Sequence, residues 1–428
     1  MHSDERANSW KCATGEGFFG VGMGLVAALT VLPLLLKHLG AGKVLLGISF
    51  GIACAGWGLA QLVGLVLFGR RRRTKRFLVP WSFAFAVPTY LAMGAAVWFL
   101  GPSRPWLCAV IIVSIFGVRV IGAGASIAFW YEWHATLFSQ GIRGRAIGMM
   151  AGASALGVSL AAIVAGVLRL RLGFPLNYTV LFLASTVFFT FGLVSFASVH
   201  EPADGSASAP RLKLGELLRR FAQSLGDTNF RNYLIGRVIL TAGGGAAGFY
   251  AVYFKSPEGG GLAESTVITL GIFLTLPQAV SSYVLGRIGD RSGHKVGIIL
   301  GALGQLGSLV LAYVGTGFWA CAGCFALLGV SWASGWVSNA NMLFETCPHD
   351  NRVAHVTLSN TVLSPFVLLV PLATGWLMES PAVGTQGGIG LAILPTVLGI
   401  LWLALVVKEP RSIELARGKL AAAEASGE

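Results

Sequence analysis

"GRIGDRSGHK" (residues 286–295) places Arg287, Asp290, Arg291, His294 and Lys295 within nine residues, with glycines at 286, 289 and 293. It sits between two long apolar runs, "VITLGIFLTLPQAVSSYVL" (267–285) and "VGIILGALGQLGSLVLAYV" (296–314). Each run is long enough to cross a hydrocarbon core of about 30 Å as a helix. The charged stretch therefore reads as a tight turn between two membrane-crossing helices, with glycines supplying the bend.

The rest of the chain agrees. Of 428 residues, 55% are hydrophobic and only 11% charged, and mean hydropathy is +0.73. Soluble domains carry about a quarter charged residues, so an ordinary globular protein is excluded. The 58 glycines suit close packing of membrane helices. The expectation is an all-α membrane protein with twelve transmembrane helices. The spans fall near 15–36, 44–68, 78–100, 106–136, 147–168, 178–198, 232–254, 265–286, 296–314, 317–345, 355–377 and 386–407.

Placing the N-terminus inside puts 23 Lys and Arg residues in inward segments and 6 in outward loops. That bias predicts cytoplasmic termini in the cell membrane. It also explains the net charge of +13 without any nucleic-acid partner, the bilayer being the partner instead. The polar, acid-bearing start "MHSDERANSWKCATGEG" reads as a retained tail rather than a cleaved signal.

Residues 199–230 form the longest internal loop. "EPADGSASAP" is a linker signal, and "RLKLGELLRRFAQSL" (211–225) reads as a basic amphipathic helix on the inner membrane face. The loop divides the chain into a six-helix half (1–198), the linker (199–230), a second six-helix half (231–408) and a cytoplasmic tail (409–428). The halves look like distant copies related by pseudo-twofold symmetry. "LFSQGIRGR" from 137 and "LFETCPHDNR" from 343 align Arg145 with Arg352, an offset of 207. Internal repeats in a membrane chain point to a transporter with its site between them.

Gly286, Asp290, Arg291, Gly293 and Lys295 fit the pattern G-x-x-x-D-R-x-G-x-K. With twelve spans and a long central loop, this resembles the major facilitator superfamily, which carries that signature after spans 2 and 8. The resemblance implies a secondary transporter working by alternating access, with no cofactor and no enzymatic step. In such a chain the cluster can hold helix ends together in one state and release them in the other. Glu345 is the expected acid partner of Arg291. The first-half counterpart, "FGRRRRTKR" (68–76), has no aspartate. That departure keeps open a second reading, a transporter-like protein that senses, scaffolds or assembles. Span 4 keeps Arg119, Gly122 and Gly124 of another family pattern and lacks its glutamine.

Ionisable groups inside spans are costly and usually face the bundle interior. Arg119 shares a helical face with Ser126, Trp130 and Trp133, a candidate pathway face. Glu132 points away from it and reads as a fixed ion pair or a proton-coupling acid; Glu16 is the other coupling candidate. Arg237 shares a stripe with Thr241, Gly244 and Gly248 and either faces the pathway or snorkels outward. "GGG" (243–245) makes span 7 bendable. Span 10 carries Ser334, Ser338, Asn341 and Glu345 on one stripe and Trp332, Trp336 and Asn339 on another; span 11 carries Thr357, Thr361 and Ser364. These stripes line a cavity or supply interhelical hydrogen bonds. The arginines and the scarcity of acids favour an anionic small solute, a proton is the candidate coupling ion, and a monomer suffices. A central polar cavity containing Arg119 separates the transporter from the scaffold reading. No P-loop, HExxH or GxSxG elbow supports ATP hydrolysis or common membrane-enzyme chemistry. The six cysteines are scattered, and Cys321 and Cys324 read as small buried apolar residues.

Overall fold

The computed structural model describes residues 3–67, 75–201, 214–346 and 352–410. Every regular element among them is helical. Before the linker come α1 (Ser3–Leu25), α2 (Val31–His38), α3 (Lys43–Leu67), α4 (Lys75–Leu100), α5 (Pro105–Leu137), α6 (Gln140–Arg171) and α7 (Leu176–Ala197). After it come α8 (Leu214–Leu225), α9 (Thr228–Gly244), α10 (Tyr250–Lys255), α11 (Glu264–Leu270) and α12 (Ile272–Ser292). The chain continues through α13 (His294–Val314), α14 (Gly317–Trp336), α15 (Ser338–Thr346), α16 (Arg352–Glu379) and α17 (Gly384–Leu405).

Ten stretches among the described residues are long and apolar enough to cross a membrane. The expected first span is not one of them, because it is built from two helices. α1 starts at Ser3, where Asp4 and Glu5 occupy the first turn and favour the positive end of the helix dipole. It stops at Leu25; the Ala27 carbonyl then accepts from both Thr30 and Leu32, and α2 begins. In α3 the described apolar stretch is Lys43–Gly56. Exposed apolar side chains such as Leu91, Phe99, Leu160, Trp319 and Leu405 suit an envelope of lipid rather than water. α8 occupies the expected amphipathic segment, but Phe221 is buried and joins a core with Phe230 and Leu234.

Before the linker, α1 packs on α6 and α7, α3 on α5, and α4 on α5 and α7. After it, α9 packs on α16 and α17, α12 on α14, and α13 on α14 and α17. Two seams join these sets: α3 against α16, and α6 against α11 and α12. Glycine makes the first seam close. A Cβ on Gly47 or Gly51 would run into the Pro371 or Leu368 carbonyl. Asn360 Nδ2 donates to Gln61 Oε1 across that seam at 3.0 Å, and the Ser159 and Thr275 hydroxyls meet across the second at 2.8 Å.

The cores are distributed unevenly along the helices. At the end remote from the chain termini, one cluster runs through both sets, from Leu34 and Leu36 to Phe254, Phe325 and Met378. At the termini end the cores are separate. One is built around Trp133, Phe138 and Phe196, the other around Phe230, Tyr233 and Met342. Among the described residues, apolar packing is shared across both sets at one end and separate at the other.

Candidate functional site

A cavity of about 180 Å³ opens where α9 meets α3, α13, α14, α15 and α16. Arg237, Thr241 and Asn339, all expected on the pathway, line it together. Gln305, Ser331, Trp332 and Ser334 complete its polar wall, with Phe50 and Pro371 on the apolar side. Its shape depends on α9 ending at Gly244. The chain continues as a 3-10 turn, Gly245–Phe249, and a Cβ on Gly245 would meet Val370, one on Gly248 the Phe50 ring. These glycines are what let the turn approach α3 and α16 there.

The polar groups are arranged in order. Tyr233 donates its hydroxyl proton to Asn339 Oδ1 at 3.0 Å, and Asn339 Nδ2 donates to the Ser334 carbonyl at 3.2 Å. Ser334 Oγ donates to the Gly297 carbonyl at 2.9 Å. Gln305 Nε2 donates to the Leu240 carbonyl at 3.0 Å and to Thr396 Oγ1 at 3.2 Å. These bonds fix the side chains of the cavity wall. Arg237 is the exception: its Nε is buried and has no hydrogen-bond partner. No Asp or Glu is among the described residues lining the cavity, so a permanent positive charge stands there without an acid beside it. This is where a ligand anion or dipole would be taken up.

Arg119 does not line this cavity. It is buried at 8% exposure, and its guanidinium lies 5.9 Å from the Tyr90 ring centre and 5.5 Å from that of Phe189. Its Nε also lacks a hydrogen-bond partner. The face expected to line a pathway packs inward instead: Ser126 donates to the Ala123 carbonyl, and Trp133 is fully buried beside Phe196. Glu16, half-buried on α1, lies beside the Trp130 indole of α5. The side chains of Glu132 and Arg352 lie outside the described residues. Asn341 Nδ2 donates to the carbonyl of Val337, the residue just before its own helix. Thr361 Oγ1 is buried without a partner on α16, apart from the cavity wall.

The charged turn forms a second arrangement. Gly293 joins α12 to α13 with φ +85°, a conformation side chains resist, and a Cβ there would strike the Glu409 carboxylate. Glu409 Oε2 accepts from the Lys295 backbone N–H at 2.9 Å, while Lys295 Nζ donates to the Ala404 carbonyl at 2.7 Å. Gly286 is half-buried, and Asp290 and Arg291 are exposed at the end of α12. Glu345 faces His294, with Oε1 and Nε2 3.6 Å apart, rather than Arg291 as the sequence had suggested. The reason is the turn itself: it points Arg291 outward and buries His294 against Gly289. The sequence reading missed Glu409 and Gln305.

A third polar cluster closes the sealed end. Glu264 on α11 is 8% exposed, forms an ion pair with Arg169 of α6 and holds Lys255 Nζ at 2.6 Å.

The model of the Major Facilitator Superfamily matches residues 258–425. No curated protein matches the sequence. Among solved structures, the nucleoside transporter NupG superposes with a TM-score of 0.75 at 10% identity, over 94% of this chain and 100% of that one. A POT family transporter in complex with 5-aminolevulinic acid superposes with a TM-score of 0.66 at 11% identity, over 94% and 96%. A bacterial homolog of the human lysosomal transporter Spinster, in an inward-facing and unoccupied conformation, gives 0.59 at 13%, over 95% and 96%. At such identities the likeness is one of fold. The second part of the chain, residues 258–425, thus resembles the Major Facilitator Superfamily, and the fold of the whole chain is shared with these solved transporters.

Proposed function

We propose that the protein is a secondary active transporter that moves a small solute across the cell membrane by alternating access, driven by a proton gradient. The observation that carries this reading is the polar cavity at the α3–α9–α16 junction, closed toward one end by a shared core while the cores at the other end are separate. A two-sided carrier needs this asymmetry in any one state.

In this reading α1 with α2 forms the first of twelve spans, α9 with α10 the seventh, α11 with α12 the eighth and α14 with α15 the tenth. Residues 1–198 and 231–408 are six-helix halves around the 199–230 linker, with 409–428 a cytoplasmic tail. The repeated choice of packing partners before and after the linker supports that symmetry, and the bias of Lys and Arg supports cytoplasmic termini. Arg237, Thr241 and Asn339 contact the solute. Glu16, a carboxylate beside the Trp130 indole, takes the coupling proton. The turn built on Gly286, Asp290, Arg291 and Gly293, with Glu345 and Arg352, is the gate at the termini end.

Purified protein in liposomes with an entrapped pH indicator tests this. Solutes that raise the melting temperature should each cause proton entry when added outside, and Glu16→Gln should abolish the proton signal while solute exchange persists. Stabilising solutes that never cross the membrane would contradict the proposal.

A further inference from the structure

We infer that the cavity takes a small planar organic anion that carries a hydrogen-bond donor about 5–10 Å from its acidic group, the separation following from the helical rise along α9. The inference rests on the transporter reading only in calling this ligand a transported solute.

Three observations combine. First, Arg237 contributes a guanidinium whose Nε is buried and unpartnered, on a wall whose described residues include no acid. A neutral solute would leave that charge uncompensated, whereas a carboxylate forms a charge-assisted bond with it.

Second, Gln305 is fixed in one orientation. Thr396 Oγ1 gives its proton to the Ala392 carbonyl and so can only accept from Gln305 Nε2, whose other proton goes to the Leu240 carbonyl. Both amide protons are used, and Oε1 accepts no hydrogen bond among the described residues. The cavity therefore offers an acceptor at this point and asks the ligand for an N–H or O–H. Because Nε2 binds the Leu240 carbonyl, and Oε1 lies 3.7 Å from where a Cβ on Gly244 would stand, the acceptor sits at the level of residues 240–244. That is one to two turns along α9 from Arg237. Side chains lean toward the helix N-terminus, so the Arg237 head lies no closer than this spacing.

Third, the rings of Phe50 and Trp332 line the cavity, and rings favour a flat ligand body. Its volume of about 180 Å³ falls below the roughly 300 Å³ at which drug-sized pockets begin, which limits the ligand to about one ring with two substituents.

Titration calorimetry on the purified full chain tests the inference with 4-hydroxybenzoate, benzoate, benzamide and uridine. Benzoate should bind at least about tenfold more tightly than benzamide, and 4-hydroxybenzoate about fivefold to tenfold more tightly than benzoate. Arg237→Gln should remove the difference between benzoate and benzamide, and Arg237→Lys should restore part of it. Gln305→Leu should remove the advantage of the hydroxyl, so that 4-hydroxybenzoate and benzoate bind alike. Gln305→Met, closer in volume, serves if the leucine variant does not fold. Benzamide or uridine binding as tightly as 4-hydroxybenzoate, or no binding by either benzoate at millimolar concentration, would overturn the inference. Counterflow of labelled 4-hydroxybenzoate in liposomes separates the two readings. Tight binding without counterflow contradicts transport and leaves the ligand class standing. Exchange of uridine without binding of the acids does the reverse.

Discussion

The termini end of the molecule contains one construction twice. Before the linker, Asn8 of α1 exchanges two hydrogen bonds with the backbone of His200 at 2.8 and 2.9 Å, and Glu201 Oε1 accepts from the Lys75 N–H at 3.1 Å. After it, Asn229 of α9 exchanges two with the backbone of Lys408 at 3.0 and 2.8 Å, and Glu409 Oε2 accepts from the Lys295 N–H at 2.9 Å. Lys75 Nζ and Lys295 Nζ each donate to a carbonyl near the end of a later helix, Val199 just beyond α7 and Ala404 in α17. What surrounds the two clamps differs. The second adds a one-residue turn at Gly293 and the His294–Glu345 contact; the first is preceded by four arginines with no aspartate. The clamp is thus common equipment that ties helix ends together, and the charged signature is an addition made on one side only.

Four substitutions break or sharpen that comparison. The largest effect is expected from Gly293→Ala. Its backbone lies where only glycine is relaxed, at about 1–3 kcal/mol for any other residue, and its Cβ would meet Glu409. The melting temperature in detergent should fall well below that of Gly148→Ala, a position with open space around it. Next, Asn8→Ala and Asn229→Ala should each lose about 1–2 kcal/mol, since each breaks two partly exposed hydrogen bonds. Denaturant midpoints that differ strongly between the two would show that the clamps are not equivalent.

Asp290→Asn should act on the conformational balance rather than on folding. Removing a charge worth about 0.3–2 kcal/mol near a helix end shifts a balanced equilibrium by about 2- to 30-fold. The shift should favour the state open at the termini end, read as faster labelling of a cysteine at Ser139. The smallest effect belongs to Arg72→Ala, which lies outside the described residues. With no aspartate in that loop, the same labelling rate should change by less than about twofold.

Much of this arrangement was legible in the sequence. Apolar run length marked most spans, and the three glycines at 243–245 marked the bend that shapes the cavity, because glycine is where helices can end and pack closely. Arg237, Thr241 and Asn339 were identified because polar groups inside spans are rare. The clamps left a trace too: "VHEP" (199–202) and "VKEP" (407–410) share three of four residues, a weak repeat that gains meaning only once its backbone bonds are known. Gln305 was hidden because a single amide within "LGALGQLGSL" has no periodic partner. That Arg119 lies off the cavity wall was not legible, because helical spacing reports which residues share a face and not what that face meets; here it meets Tyr90 and Phe189. The entry of Phe50 and Cys54 into the cavity wall depends on contact between α3 and the 3-10 turn after α9, which no local pattern encodes.

The central claim is that the two ends open reciprocally. Glu264 ties α6 to α11 and to Lys255 at the sealed end. Losing such a half-buried bridge removes about 2 kcal/mol, between the values for exposed and buried pairs. Electron-resonance distances between spin labels at Lys37 and Glu258 report the sealed end, and those between labels at Ser139 and Ser292 report the termini end. In Glu264→Gln the account predicts that the first distance lengthens while the second shortens. If the sealed end opens and the Ser139–Ser292 distance stays as it is in the unsubstituted protein, the ends are not coupled and alternating access is contradicted.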